Sequence, residues 1–588
     1  MKIAKLALVI ISIFTAIAIH YLLMNNSSET LGVNPPKHQL LSDPFLQLPT
    51  KNTVNVVWFT EFLGDNHLVK YGTDLQQKAI ATTTKLTRVR EDSESKIASP
   101  TSKSGRDIWR HEATVEGLSP NQRVPYQVDS TINQQVISSE VFTLAGTPTA
   151  EAALKILLTS DHQLMPMTPA NLEQVSATIG QVDAVFLPGD LVNIPDRASE
   201  WFDDLRGGGF FPCLQGKANY QLEHEGVSTT YRGGKIIQYA PLFTALGNHE
   251  VMGKMSESSS LKEEFAQPHP RQIAEQFYQS QAAQINPTKN PQIKAEWIKN
   301  NSFNTDTYDE IFSLPQSPSG GQHYYATTFG DIRLISLYIT NIWRSPRLAE
   351  DIRGRYQEST LYLNNPQAWG YGQHIFEPIA KGSAQYQWLE QELQSPTFQE
   401  AKYKIVMFHH PPHSLGGNIV PPYTNPQPRL SYTDDQQLTS RYYDYPIEKD
   451  YIIRDVIPLL EAAGVQLVYY GHSHLWNRFQ SDSGIHFLES SNVGNSYGAH
   501  LGDNQRQVPD YSPENFAPTG DPNGLTPIVP NISPLVDDSG KPLPYIASDE
   551  ITVFSIFDTA TGTVSSYRFD TRIPNSQAVL FDQFQLKS

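Results

Sequence analysis

One cysteine, Cys213, stands among 588 residues, so no disulfide can close within the chain, and the redox compartment is left open. It has no thiol partner and no obvious histidine partner, which argues against a nucleophilic or metal-ligating role. Basic charge is also short: 44 Lys and Arg against 61 Asp and Glu leave a net charge of −17. Such a surface argues against nonspecific nucleic-acid binding, which runs on phosphate neutralisation. An anionic substrate stays open, because bound metals reverse the local field. No internal repeat is found. One long apolar run, Leu6 to Met24, follows Lys2 and Lys5 and is broken only by Ser12, Thr15, His20 and Tyr21. That pattern reads as an export signal and approaches the length of a membrane span. The nearest small-x-small site is Ala16-Ile17-Ala18, so residues 1–35 are expected to be a signal peptide or, by preference, an uncleaved membrane anchor. The body is then extracytoplasmic, periplasmic or secreted, with membrane association through that segment.

What is present suits packed domains. The hydrophobic fraction of 39% and aromatic fraction of 11% supply ample core, and the length predicts two or three domains. Residues 40–146 read as all-β. Val54, Val56 and Trp58 alternate with Asn55, Val57 and Phe59, and short stretches follow at His67–Tyr71, Ile80–Val89, Trp109–Val115, Val124–Val128 and Val136–Thr143. About seven short strands separated by turns predict a β-sandwich, read as a packing or spacer module. After a linker at Gly146–Thr149 the pattern changes to α/β over 152–588. Strand Leu154–Thr159, helix Pro169–Ile179 and strand Ala184–Leu187 form a βαβ unit. Further strands are expected at Leu242–Leu246, Ile332–Ile339, Tyr403–Phe408, Val465–Tyr470, Ile485–Leu488 and Ile551–Phe557, the last pairing with Thr563–Phe569; helices are expected at Ala384–Gln394 and Asp450–Ala463. Long polar stretches such as Lys254–Gln322 and Ser345–Gly382 read as lids or mobile insertions.

Five polar motifs sit where apolar strands run out: Ser160–Gln163, Gly189–Asn193, Gly247–Glu250, His409–His413 and Gly471–His474. Alone, each has a structural explanation: Asp161 and Asp190 could cap the next segment of chain, and Asn248-His249 could be a turn. Together they are more telling, because ligands of open α/β sheets gather at carboxyl ends of strands. Asp, Asn and His converging there offer the mixed oxygen and nitrogen donors that transition metals take, the arrangement of a two-metal hydrolase.

The order Asp161, Gly189-Asp190, Gly247-Asn248-His249-Glu250, His409-x-Pro411 and Gly471-His472-x-His474 resembles the calcineurin-like metallophosphoesterases, and within them the purple acid phosphatase branch. Pro44–Gln47, Val56–Thr60 and Val69–Gly72 resemble that branch's N-terminal sandwich. Gly117–Asn121 followed by Tyr126 resembles a fibronectin type III-like turn and tyrosine, and Gln387–Glu390 and Trp476–Arg478 match later segments. The resemblance implies a two-sheet αββα metallophosphoesterase sandwich behind an all-β domain. It implies two metal ions, iron with zinc, manganese or a second iron, and a small phosphoester substrate. Asp190 would bridge the metals. Asp161 and His474 would complete site one, and Asn248, His409 and His472 site two. His249 would contact the phosphate or protonate the leaving group. His410 and His413 would support the ligands, with Asn248, His413 and Arg344 also reaching substrate.

Two positions depart from the family pattern. Gln163 stands where many members carry histidine, and Asn193 stands where the purple branch carries its tyrosine. In an extended strand end, residues 161 and 163 face one way and His162 the other. Gln163, through its amide oxygen, is then the leading extra ligand, with Asn193 or a water second. Without the phenolate no visible purple colour is expected. The implied chemistry is attack of a metal-activated hydroxide on phosphorus, since two cations about 3.5–4 Å apart hold the ester and generate the nucleophile. Phosphomonoester hydrolysis is the favoured activity. The alternatives are a phosphodiesterase or nucleotide pyrophosphatase and, further off, a non-catalytic surface binding protein. Asn341 and Arg344, just past the Ile332–Ile339 strand, are candidate phosphate contacts.

Overall fold

A computed structural model describes residues 38–587 except 100–101, 268, 420–421, 512–515, 517, 531–539 and 541–542. The expected signal or anchor at 1–35 lies outside the described residues. Among those described, no helix is long and apolar enough to cross a membrane.

The N-terminal strands form two sheets. One runs Phe45–Gln47, Val54–Thr60, Trp109–Val115, Thr82–Lys85; the other runs Gln135–Ser138, Val124–Ile132, Asn66–Tyr71, Gln77–Ile80, with Phe142–Leu144 also on Val124–Ile132. The stretch expected at Ile80–Val89 takes in the end of strand Gln77–Ile80 and the separate strand Thr82–Lys85, and Val136–Thr143 divides in two. At the division Ser139 accepts the Val128 N–H through its hydroxyl (3.1 Å), replacing a ladder bond.

Strand Val54–Thr60 is buried on both faces. Val54, Val56 and Trp58 point into the sandwich core, whereas Val57 and Phe59 join Phe45 in a core shared with Trp201, Phe202, Phe211 and Phe312 of the α/β region. Phe59 meets Phe202 edge-on at 5.0 Å, and Phe45 lies 5.1 Å from Phe211. Cys213 is buried in this cluster, where burial pushes its thiol pKa up. The Tyr126 hydroxyl does not turn back on its own sandwich; it donates to the carbonyl of Gln238 at 2.7 Å. The sandwich is therefore bonded to the α/β region as well as packed on it.

Two further sheets make the α/β region. The first is ordered Leu242–Thr244, Ala184–Leu187, Lys155–Leu158, Ile551–Asp558, Thr563–Asp570, Val579–Gln585. Its first three strands are parallel and the remaining pairings antiparallel. The second contains the parallel run Ile332–Ser336, Tyr403–Met407, Leu467–Tyr470, His486–Ser490, with Tyr325–Phe329 and Trp476–Gln480 antiparallel beside it. Ala184–Leu187 and Leu467–Tyr470 are buried at every residue, as parallel strands covered on both faces must be. The sheets meet through Ser490 and Ser555 hydroxyls (2.6 Å), through Trp476 Nε1 donating to Ser566 (3.1 Å) and through Tyr403 against Phe557. Helix Thr168–Ile179 covers the first sheet, its Asn171 donating to Val553 O at 2.8 Å. Leu389 and Leu393 of Ala384–Leu393 and Leu460 of Ile457–Ala462 cover the second. The layers are helix, sheet, sheet, helix.

The helix expected over Asp450–Ala463 opens as a π-helical turn, Ile452–Val456, before Ile457–Ala462. Pro458 lacks an N–H and its ring crowds the carbonyl four residues back, so a widened turn is the unstrained entrance. The stretch Lys254–Gln322 is not an irregular lid. It holds helices Leu261–Phe265, Arg271–Ile285, Pro291–Asn300 and Asp306–Ile311. In Arg271–Ile285 only Ala274 and Tyr278 are buried, so the apolar stripe that marks a helix in sequence is nearly missing.

Candidate metal centre

All five motif loops meet at the carboxyl ends of the parallel strands. Asp161, Asp190, His409, His472 and His474 are each at most 3% exposed. Two groups of ligand atoms are close enough to hold a cation: Asp190, His409 and His472 in one, and Asp161, Asp190 and His474 in the other. Asp190 belongs to both.

Hydrogen bonds fix the tautomers. His409 Nδ1 faces the Pro188 carbonyl at 2.9 Å, and His474 Nδ1 faces the Asn495 carbonyl at 3.0 Å. A carbonyl only accepts, so both Nδ1 atoms carry hydrogen and each Nε2 is left to ligate. His409 Nε2 then looks at Asn248 Oδ1 (3.1 Å), His472 Nδ1 (3.0 Å) and Asp190 Oδ2 (3.2 Å). His474 Nε2 lies 3.5 Å from Asp161 Oδ1. With neutral rings, the His409 Nε2 lone pair faces the oxygens of Asn248 and Asp190, acceptor against acceptor, and a cation resolves the conflict. Among the described residues, no partner reaches the buried His472 Nε2 either.

The electrostatics point the same way. Burial lowers the pKa of His472, and neighbouring His409 and His410 push it further; burial also lowers that of His474, so both rings are neutral, the ligand form. Burial raises Asp161, as does Asp190, although His409 pulls it down. Burial would raise Asp190 too, yet His409, His249 and His472 hold it below the ordinary carboxylate range. Burial opposes charge on His409, but Asp190, Asp161 and Glu250 push its pKa up to about 9. Without a cation, a proton is drawn into its place.

The backbone is bent to make this cluster. Asp161, Gln163, Asp190, His472 and His474 have φ of 56°, 36°, 56°, 75° and 56°. Non-glycine residues there are strained by about 1–3 kcal/mol each and collect at functional sites. Gly247 and Gly471 permit the close approach, because a Cβ on either would strike the Asp190 or the Asp161 carboxylate. Glu250 clasps the turns from beneath, accepting the N–H groups of Gly247 (2.7 Å), Asp190 (2.8 Å) and Leu191 (2.7 Å).

The departures from the family pattern take definite positions. Asp161 is not extended, so the strand-end reasoning does not hold. His162 is nevertheless turned away, its Nε2 on Thr159 Oγ1 at 2.9 Å. Gln163 reaches the centre with its amide nitrogen, donating to Asp190 Oδ2 at 2.7 Å, so it meets the bridging carboxylate as a hydrogen-bond donor. Asn193 donates through Nδ2 to Gln163 O (2.6 Å), while its own carbonyl accepts His249 Nδ1–H (2.7 Å). Its side chain thus braces the loop. His249 also donates its backbone N–H to Asp190 Oδ1 (2.9 Å) and is stacked on Phe265, with ring centres 4.9 Å apart at 27°. His410 is buried against Tyr423 and His472.

Two expected substrate contacts are placed elsewhere. His413 is buried behind the Gly471–His474 turn, between Tyr470 and Phe479, with Nε2 3.5 Å from Glu489. Arg344 lines a cavity beside Asn248, but its guanidinium donates to Ala266 O (2.5 Å) and Gly370 O (2.9 Å), which makes it a strut of that wall. Asn341 accepts from Gln373 at 3.2 Å. The sequence reading missed Glu250, though it lies inside a motif, and Phe265 and Tyr497, whose rings cover His249 and His474; no local pattern marks those two.

Paired sheets with two cation-sized ligand groups sharing one carboxylate at their strand ends fit the class of binuclear hydrolases. A family model described as calcineurin-like phosphoesterase matches residues 154–475, over half the chain, and the protein belongs to that family. A second, the purple acid phosphatase N-terminal domain, matches residues 42–145. The chain is a metal-dependent phosphatase. Its fold is similar to that of a purple acid phosphatase from yellow lupin (Lupinus luteus) seeds, at 14% identity and a TM-score of 0.50, over 92% of this chain and 73% of that one. No curated protein matches it.

Proposed function

We propose that the chain is an exported phosphomonoesterase whose two cations, iron with zinc, manganese or a second iron, share Asp190. One observation carries this reading: Asp190 belongs to both ligand groups. Asp161 and His474 complete the first group, and His409, His472 and Asn248 the second. Two bound cations supply Lewis acidity toward the phosphoryl oxygens and lower the pKa of water. The chain's residues do the rest. Gln163 holds Asp190 through its Oδ2, and Pro188 and Asn495 fix the ligand tautomers. Asn193 O holds His249 Nδ1 and Phe265 holds its ring plane, so Nε2 is the ring atom left to face the leaving oxygen, where it would act as the general acid. Export rests on the basic and apolar composition of residues 1–35.

The test pairs metal analysis with hydrolysis of p-nitrophenyl and bis-p-nitrophenyl phosphate. Two metals per chain with preference for the monoester is the expected result; preference for the diester moves the protein to the phosphodiesterases. Fewer than one metal per chain with no turnover would make it a binding protein. Asp190→Asn should lose metal and activity together. His249→Ala should keep metal and lose about 10²–10⁴ in rate, and unchanged turnover refutes the role of His249.

A further inference from the structure

The sandwich domain does more than pack. Its loop after strand Arg90–Glu91 crosses to the α/β region and forms one wall of a cleft of about 640 Å³ that opens at His249. Ser93, Glu94 and Lys96 come from the sandwich; Arg197, Arg206 and Lys262 face them from the α/β region. The loop is clamped. Asp92 accepts from Arg197 Nη2 (3.1 Å) and from the Leu261 N–H (2.7 Å), and Lys96 O accepts the Leu205 N–H at 2.9 Å. Arg90 (2.8 Å) and Lys103 both pair with Glu264, on the same short helix that carries Phe265.

The charges in this cleft do not cancel. Its three carboxylates pair with two arginines: Glu200 and Glu94 with Arg197 at 3.0 and 3.7 Å, and Asp204 with Arg206 at 2.8 Å. Lys96 and Lys262 are exposed on the lining, and among the described residues neither forms an ion pair. Four cations, Lys96, Arg197, Arg206 and Lys262, thus face three carboxylates on the lining, a surplus of one in a chain of net charge −17, beside the proposed proton donor and its leaving group. We propose that this interdomain cleft is a leaving-group subsite, and that Lys96 and Lys262 select phosphoesters whose leaving group carries a second negative charge, a carboxylate or a further phosphate. This rests on the phosphatase reading of the centre.

The test compares two matched esters, 4-carboxyphenyl phosphate and its neutral 4-carboxamide, on the full-length metal-loaded protein. The ratio of kcat/KM, acid over amide, is the readout. Lys96→Ala should lower that ratio about threefold to tenfold, as expected for a partly exposed charged contact. Lys96→Ala/Lys262→Ala should lower it further, and Lys96→Arg should restore it. Raising ionic strength should shrink the wild-type ratio toward that of the double variant. A ratio unchanged in the double variant overturns the proposal. Should neither ester be turned over, the reading of the centre fails instead. The subsite is then judged from equilibrium binding of 4-carboxyphenyl phosphate, and equal affinity for wild type and double variant overturns it.

Discussion

Glu250 offers the sharpest test of how the centre is held. Its carboxylate touches no proposed ligand side chain, yet it accepts three backbone N–H groups at 2.7–2.8 Å, including that of Asp190 itself. Glu250→Gln keeps the shape and removes one acceptor. The amide oxygen can retain Gly247 and Asp190, but the –NH₂ then confronts the Leu191 N–H, donor against donor. Losing one charge-assisted bond and stranding a buried N–H costs about 2–4 kcal/mol. In a protein this long that shifts Tm only by on the order of a few degrees, since the shift per kcal/mol falls with size. Turnover is the more sensitive readout. Relief of the clash displaces the Asp190 backbone, and with it His249, whose N–H is bonded to Asp190 Oδ1. A displacement near 1 Å costs on the order of 100-fold in rate. Measured kcat on p-nitrophenyl phosphate should fall by about that factor, with metal content reduced. A Glu250→Gln protein with two metals and wild-type kcat would show that the turns hold themselves.

Other outcomes rest on the same geometry. Phe265→Ala removes the ring stacked on His249 at 4.9 Å and should lower kcat about threefold to tenfold at unchanged metal content, with a Leu replacement recovering part of it. Iron-loaded protein should show no strong visible charge-transfer band, because Asn193 stands at the phenolate position and turns its amide to Gln163 O; an intense band contradicts this. Chelation should lower Tm, since metal that binds only the folded state stabilises it and its removal leaves two buried carboxylates, Asp161 and Asp190, to share the proton drawn to His409. An unchanged melting curve after verified metal loss goes against the centre.

The strand ends were readable because parallel strands are apolar throughout and stop where polar residues begin: Ala184–Leu187 before Gly189-Asp190, and Leu467–Tyr470 before Gly471-His472. The α/β class and the ligand-bearing loops followed from that punctuation, whereas the αββα layering was implied by the family resemblance. The orientation of side chains in those loops did not. Left-handed φ at Asp161 and Gln163 replaces the alternation of a strand, and Gln163 arrives nitrogen first. His413 looked available because it lies inside a motif, and Arg344 because it lies just past the Ile332–Ile339 strand, whereas burial committed both elsewhere. Phe265 comes to His249, and Lys96 to the cleft beside it, through contacts spanning the chain, set by the ion pairs at Glu264 and Asp92 that no short pattern records.

Strand Val54–Thr60, apolar on both faces, has a practical corollary for anyone who would express the catalytic part alone. Cutting the chain at the linker would strip the covering from Phe202, Phe211 and Phe312 and leave Gln238 O without the Tyr126 hydroxyl. The truncated piece should clump or melt early, because the two halves share a single interior and behave as one cooperative body.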